Sequence, residues 1–136
     1  MELSGSIRFR RQIDSIASLL GQNNGEQQMG NKRRYEILLP AKYNDGRAIM
    51  HECMECFPKT LMEVTDRFGA LSYNPHAIMG VWTQAGKRYE DELFRLTIDV
   101  EERPENSQFI AHLKAELLER FEQLEIYVVS YPIEVI

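Results

Sequence analysis

The sequence predicts an α+β sandwich of β-α-β-β-α-β order, in which a four-stranded antiparallel sheet carries both helices on one face. Three observations lead there. Between residues 33 and 136 the apolar spacing runs period two, then three to four, then two, two, three to four, and two. A short connection containing Gly86 parts the two central period-two runs, as in a hairpin. The chain has 136 residues, 43% apolar and 27% charged, which suits one folded domain and requires no second.

The first strand is read from Arg34 to Leu39, where Tyr35, Ile37 and Leu39 share a face and Pro40 ends the run. A loop through Asn44-Asp45-Gly46 leads to a helix with Pro58 in its first turn. Leu61, Val64 and Phe68 line one side of it, Gly69 is its left-handed stop, and its start can reach back to Met50. Asn74-Pro75 marks a turn. Residues 77–83 and 87–100 then form the hairpin. In its second arm Phe94, Leu96, Ile98 and Val100 face one way, and Leu93, Arg95, Thr97 and Asp99 the other. Pro104 opens a second helix with Glu101, Glu102 and Glu105 near its positive end and Phe109, Ile110, Leu113, Leu117 and Phe121 as its stripe. Ile126 to Tyr131 closes the sheet, and Pro132 confines that run to a strand end or a sheet edge. Two such split β-α-β units with right-handed crossovers give the ferredoxin-like plan, a fold that hosts many unrelated functions.

Residues 1–20 precede this body as an amphipathic helical segment, with Phe9, Ile13, Ile16 and Leu20 at three- and four-residue steps as its apolar, partner-binding face. Residues 21–32 read as a flexible linker, since Gly21 to Gly30 contains no β-branched or aromatic residue. Residues 1–34 hold six basic groups against three acidic ones; with a formal charge of -5 for the chain, that +3 leaves -8 on the remainder. A tethered basic amphipathic helix resembles segments that dock in a groove of a partner protein, and it is similar to the terminal encapsulation peptides that direct cargo to bacterial protein shells. Packing on its own domain or on a second copy, disorder, and a start at Met29 that would make residues 1–28 an appended peptide are the competing readings.

An acidic chain opposes the phosphate backbone, so no nucleic-acid partner is expected. No apolar run reaches the roughly 18 to 20 residues of a bilayer span, and no signal-peptide core with a cleavage site begins the chain, so no membrane span and a cytoplasmic location are expected. Two cysteines three positions apart are not the framework of a secreted disulfide scaffold. No cofactor is expected.

Three local features bear on function. His51, Cys53 and Cys56 bring an imidazole and a C-x-x-C pair within six residues, a spacing that serves zinc or dithiol redox chemistry. Only His76 and His112 remain as further nitrogen donors, no second C-x-x-C exists, and about ten residues separate the motif from the preceding strand. Small buried hydrophobes are therefore the favoured reading of the cysteines, and no metal is favoured. In the hairpin, alternation places Tyr89, Asp91 and Arg95 on the sheet face that the helices leave open, near Trp82, with Glu36 of the first strand within reach of Arg95 or Thr97. These four are the candidate catalytic residues of a small-molecule pocket, against a plainer reading as solvated cross-strand ion pairs. Leu38, Leu93, Val129 and Tyr131 would share that open face, and homodimerisation is its expected cover.

The stretch Gly80-Val-Trp-Thr-Gln-Ala-Gly-Lys-Arg-Tyr-Glu-Asp-Glu92, followed by a charged helix ending Glu119-Arg-Phe-Glu-Gln123 and a strand, resembles small uncharacterised bacterial proteins with a ferredoxin-like body. That resemblance spans residues 33–136, implies the same fold and carries no activity; His51 to Cys56 lies outside its pattern. The expectation is a cytoplasmic binding or assembly domain that self-associates through its sheet, with its N-terminal helix as a docking element. A small-molecule enzyme of the dimeric α+β barrel kind, with Tyr89, Asp91 and Arg95 in the pocket, and a thiol metal or redox site at His51, Cys53 and Cys56 are the alternatives.

Overall fold

The computed structural model describes residues 31–136. Within them the order is β1 (Lys32–Pro40), α1 (Ile49–Glu52), α2 (Cys56–Phe68), β2 (Ser72–Gln84), β3 (Lys87–Glu101), α3 (Pro104–Arg120) and β4 (Val128–Ile133). The sheet runs β2-β3-β1-β4, and every neighbouring pair is antiparallel. The two long helices cross between strands that are not adjacent, which is the predicted ferredoxin-like plan with one additional short helix.

Alternation sets the core. Tyr35, Ile37 and Leu39 of β1 and Leu96, Ile98 and Val100 of β3 are buried beneath the helices, and the register pairs Tyr35 with Ile98 and Ile37 with Leu96. From the helical layer α2 adds Phe57 and Val64, and α3 adds Ile110, Leu113 and Leu117. Phe57 meets Phe94 and Phe121 edge to face, with centroids 5.6 and 5.1 Å away, and so joins α2 to β3 and to the end of α3. Fully burying an aliphatic side chain of this size contributes about 1.5 to 3 kcal/mol, so this one layer of contacts dominates stability.

Four local expectations are corrected. Asn31 and Lys32, read as the end of the linker, belong to the body: Lys32 opens β1, and the Glu102 N–H donates to the Asn31 carbonyl at 3.1 Å. The predicted turn at Asn74-Pro75 is a bulge inside a longer β2, where the pairing jumps from Asn74 to Ile78. An outer strand tolerates the missing proline N–H, and the Asn74 Oδ1 accepts from the His76 N–H at 2.9 Å. The first long helix begins at Cys56, its innermost residues being Cys56, Phe57, Thr60 and Val64, while Leu61 and Phe68 are only partly buried. β4 starts at Val128, two residues late, and runs through Pro132, which the other outer strand also permits; Ile126 is buried just ahead of it. Residues 1–20 and all but the last two residues of the expected linker, 21–32, lie outside the described residues. No helix among the described residues is long and apolar enough to cross a membrane.

Candidate functional site

The same alternation that buries Tyr35, Ile37 and Leu39 turns Arg34, Glu36 and Leu38 to the other side of the sheet. Register then assembles that face: Arg34 opposes Asp99 and Tyr131, Glu36 opposes Thr97 and Val129, and Leu38 opposes Arg95. Toward the hairpin Ile78 opposes Leu93, Gly80 opposes Asp91, and Trp82 opposes Tyr89. Both long helices lie on the opposite side, so no element of residues 31–136 covers this face.

At its centre is a connected polar group. The Tyr131 hydroxyl donates to Glu36 Oε2 at 2.5 Å, and this bond, with some loss of solvent, pushes the phenol above its ordinary pKa. Arg34 donates to both Asp99 oxygens, Nε at 2.7 Å and Nη2 at 2.9 Å, and this forked bond raises the guanidinium pKa further above its already high value. Arg95 Nε stands 3.7 Å from Glu36 Oε1, close enough for an ion pair and too far for a hydrogen bond. That nitrogen is shielded from solvent and has no hydrogen-bond partner among the described residues. Such a donor is normally satisfied by something.

A second group sits at the hairpin end. Trp82 stacks on Tyr89 with centroids 4.4 Å apart and an interplanar angle of 15°, and its Nε1–H donates to Asp91 Oδ2 at 2.5 Å. Lys87 Nζ lies 5.1 Å above the Tyr89 ring. Gly80 keeps the strand surface low here, since a Cβ at that position would stand 2.8 Å from Leu93 Cδ1. Between the hairpin and the loop after β1 runs a cleft of about 360 Å³, lined by Lys42, Tyr43, Met79, Arg88, Tyr89 and Asp91 among others.

The four candidate catalytic residues therefore separate into two pairs. Glu36 and Arg95 meet as expected; Tyr89 and Asp91 belong to the hairpin group, with Asp91 about 13 Å along β3 from Arg95, at 3.3 Å per residue. Tyr131, which sequence reasoning placed on the open face only as an apolar neighbour, is the residue that orients Glu36. Its position opposite Arg34 and two pairs from Glu36, on the same face, follows from the β1–β4 register, which a single sequence does not display. Chemically, the central group offers a fixed carboxylate beside a partly exposed guanidinium, able to bind a polar group.

The cysteines differ from their reading as two small hydrophobes, because Cys53 and Cys56 are joined as a disulfide with Cα atoms 5.5 Å apart. His51 is exposed on α1, and no group of three metal-ligating side chains gathers among the described residues. Phe9, Ile13, Ile16 and Leu20, the expected partner-binding face, lie outside the described residues.

No family model matches the chain, and no curated protein matches it. Among solved structures, it is similar to CutA1 from Oryza sativa, with a TM-score of 0.53 and 14% identity over 79% of this chain and 84% of that one. It is also similar to the divalent cation tolerance protein CutA1 from Thermus thermophilus, with a TM-score of 0.51 and 12% identity over 75% and 84% of the two chains. A third likeness is to a phage SAM lyase in complex with S-methyl-5'-thioadenosine, with a TM-score of 0.51 and 18% identity over 79% of this chain and 91% of that one. At these identities the likenesses speak for architecture alone, and with the strand order they establish it: this is a small ferredoxin-like α+β protein.

Proposed function

We propose that the chain is a small binding and assembly domain that self-associates through its open sheet face, with the N-terminal segment as a docking element for a protein partner. The observation that carries this reading is Arg95. Its Nε has no hydrogen-bond partner among the described residues, and its side chain is 42% exposed on a face where Leu38, Leu93 and Val129 lie beside the Glu36–Tyr131 pair. A second copy laid on this face would exclude water from those side chains and bring an acceptor to the exposed end of the Arg95 guanidinium. A dimer is the simplest assembly of that kind. The test is Leu38→Lys, which sets a like charge beside Arg95. Sedimentation is expected to show self-association weakened by about a hundredfold, with far-UV dichroism unchanged. Unaltered association would remove the open face as the interface.

A second reading, a small-molecule site, is favoured by Trp82, Tyr89 and Asp91. Two stacked rings beside a carboxylate suit an aromatic ligand that also carries a hydroxyl or a positive charge. Because one solved neighbour of the fold holds S-methyl-5'-thioadenosine, that compound and its sulfonium parent are the first probes to titrate calorimetrically. Binding that Asp91→Asn weakens supports this site; no heat with either probe counts against an adenosyl ligand.

A further inference from the structure

We propose that Cys53 and Cys56 form a thiol–disulfide exchange site, with Cys53 the sulfur that meets an incoming thiol. The pair bridges the break between α1 and α2: Cys53 follows α1, and Cys56 is the first residue of the 13-residue α2. Their surroundings are unequal. Cys56 is 2% exposed, whereas Cys53 is partly exposed and is followed by Met54 at 80% and the exposed Glu55. An external thiolate therefore reaches one sulfur and not the other.

The loop closed by the bridge is only four residues long, so in the chain-entropy account it contributes about 2 kcal/mol, less than a long-range bridge. The core beneath is assembled by Phe57, Val64, Leu113 and the inner strand residues, none of which needs the bond. Reduction should thus leave the fold standing. One feature prepares Cys56 to leave, and a second favours its thiol once it has left and taken up a proton. It sits in the first turn of α2, where the positive end of the helix favours a thiolate. Its Sγ is also 3.6 Å from the Arg120 carbonyl oxygen at the end of α3. In the disulfide that sulfur has no proton to donate, so the acceptor is used only by the reduced form.

The co-reactant is a small thiol of the glutathione class. Its thiolate attacks Cys53 Sγ, a mixed disulfide forms there, the Cys53–Cys56 bond breaks, and the electron pair departs on Cys56 Sγ, which takes up a proton. A second thiol then attacks the sulfur of the first, releasing the oxidised small thiol and leaving Cys53 as a thiolate that is protonated. Two thiols and one protein disulfide give one protein dithiol and one small-molecule disulfide. The site lies on the helical side of the sheet and stands or falls independently of assembly through the open face.

The test equilibrates the full-length protein in buffers of graded reduced-to-oxidised glutathione, quenches with acid and counts alkylated thiols, while dichroism follows the fold. Both thiols are expected to titrate together within the glutathione range, with the dichroism unchanged. In the single variants, Cys53 of Cys56→Ser is expected to react with a maleimide, and to retain a glutathione adduct, at least about tenfold faster than Cys56 of Cys53→Ser. Thiols that stay reduced in fully oxidised glutathione, a bridge that opens only in denaturant, or equal reactivity of the two single variants would each overturn the assignment.

Discussion

At the scale of single residues, the Glu36–Tyr131 pair shows how a phenol on the surface of a sheet becomes part of a site. The bond to Glu36 favours the protonated hydroxyl in the folded chain, and loss of solvent does the same for Tyr73 and Tyr43. The sign follows from linkage. Above the ordinary tyrosine value of about 10 the unfolded chain has lost protons that the native chain retains, so these residues contribute stability below that pH and lose it as pH rises through their raised folded values. Denaturation measured from neutral to strongly alkaline pH is expected to show falling stability above that point, and Tyr131→Phe is expected to make the fall shallower. An identical slope in the variant would mean that the bond to Glu36 does not hold in solution. Glu36 and Arg95 were legible from alternation in the sequence, because period two alone assigns a face. The role of Tyr131 was not, because it depends on which strand pairs with which.

At the scale of elements, what could be read was whatever a local rule decides. α3 is announced by Pro104, an apolar stripe and acidic residues at its positive end, and it forms over Pro104–Arg120. Gly69 ends α2 in the left-handed conformation with φ of 85°. What escaped was decided by position in the sheet. Pro75 and Pro132 look like breakers, yet each lies in an outer strand where a missing N–H costs no ladder bond. The hairpin between β2 and β3 keeps one mismatch: Ala85 and Gly86 both have positive φ, at 53° and 79°, and alanine is a poor residue there. Ala85→Asn is expected to raise stability by about 0.5 to 1 kcal/mol, read as a shifted denaturant midpoint at constant slope. A destabilised variant would place the turn in another geometry.

At the scale of the whole molecule, the single layer of helices among the described residues covers one face of the four-stranded sheet. The core residues explain why the chain folds; they do not explain the ordered group formed by Arg34, Asp99, Glu36, Tyr131 and Arg95 on the face that no element of residues 31–136 covers. Three occupants fit that face: a second copy, a ligand, or the chain's own first twenty residues. The amphipathic sequence pattern of residues 1–20 makes the last of these the sharpest rival to self-association. The two are separated by sedimentation equilibrium on the chain lacking residues 1–28, which keeps every residue of the described body. The account expects a folded dimer of the same stoichiometry as the full-length protein. A truncated chain that is monomeric or unfolded where the full-length protein is folded would show that its own N-terminal segment, and not a second copy, completes the sheet.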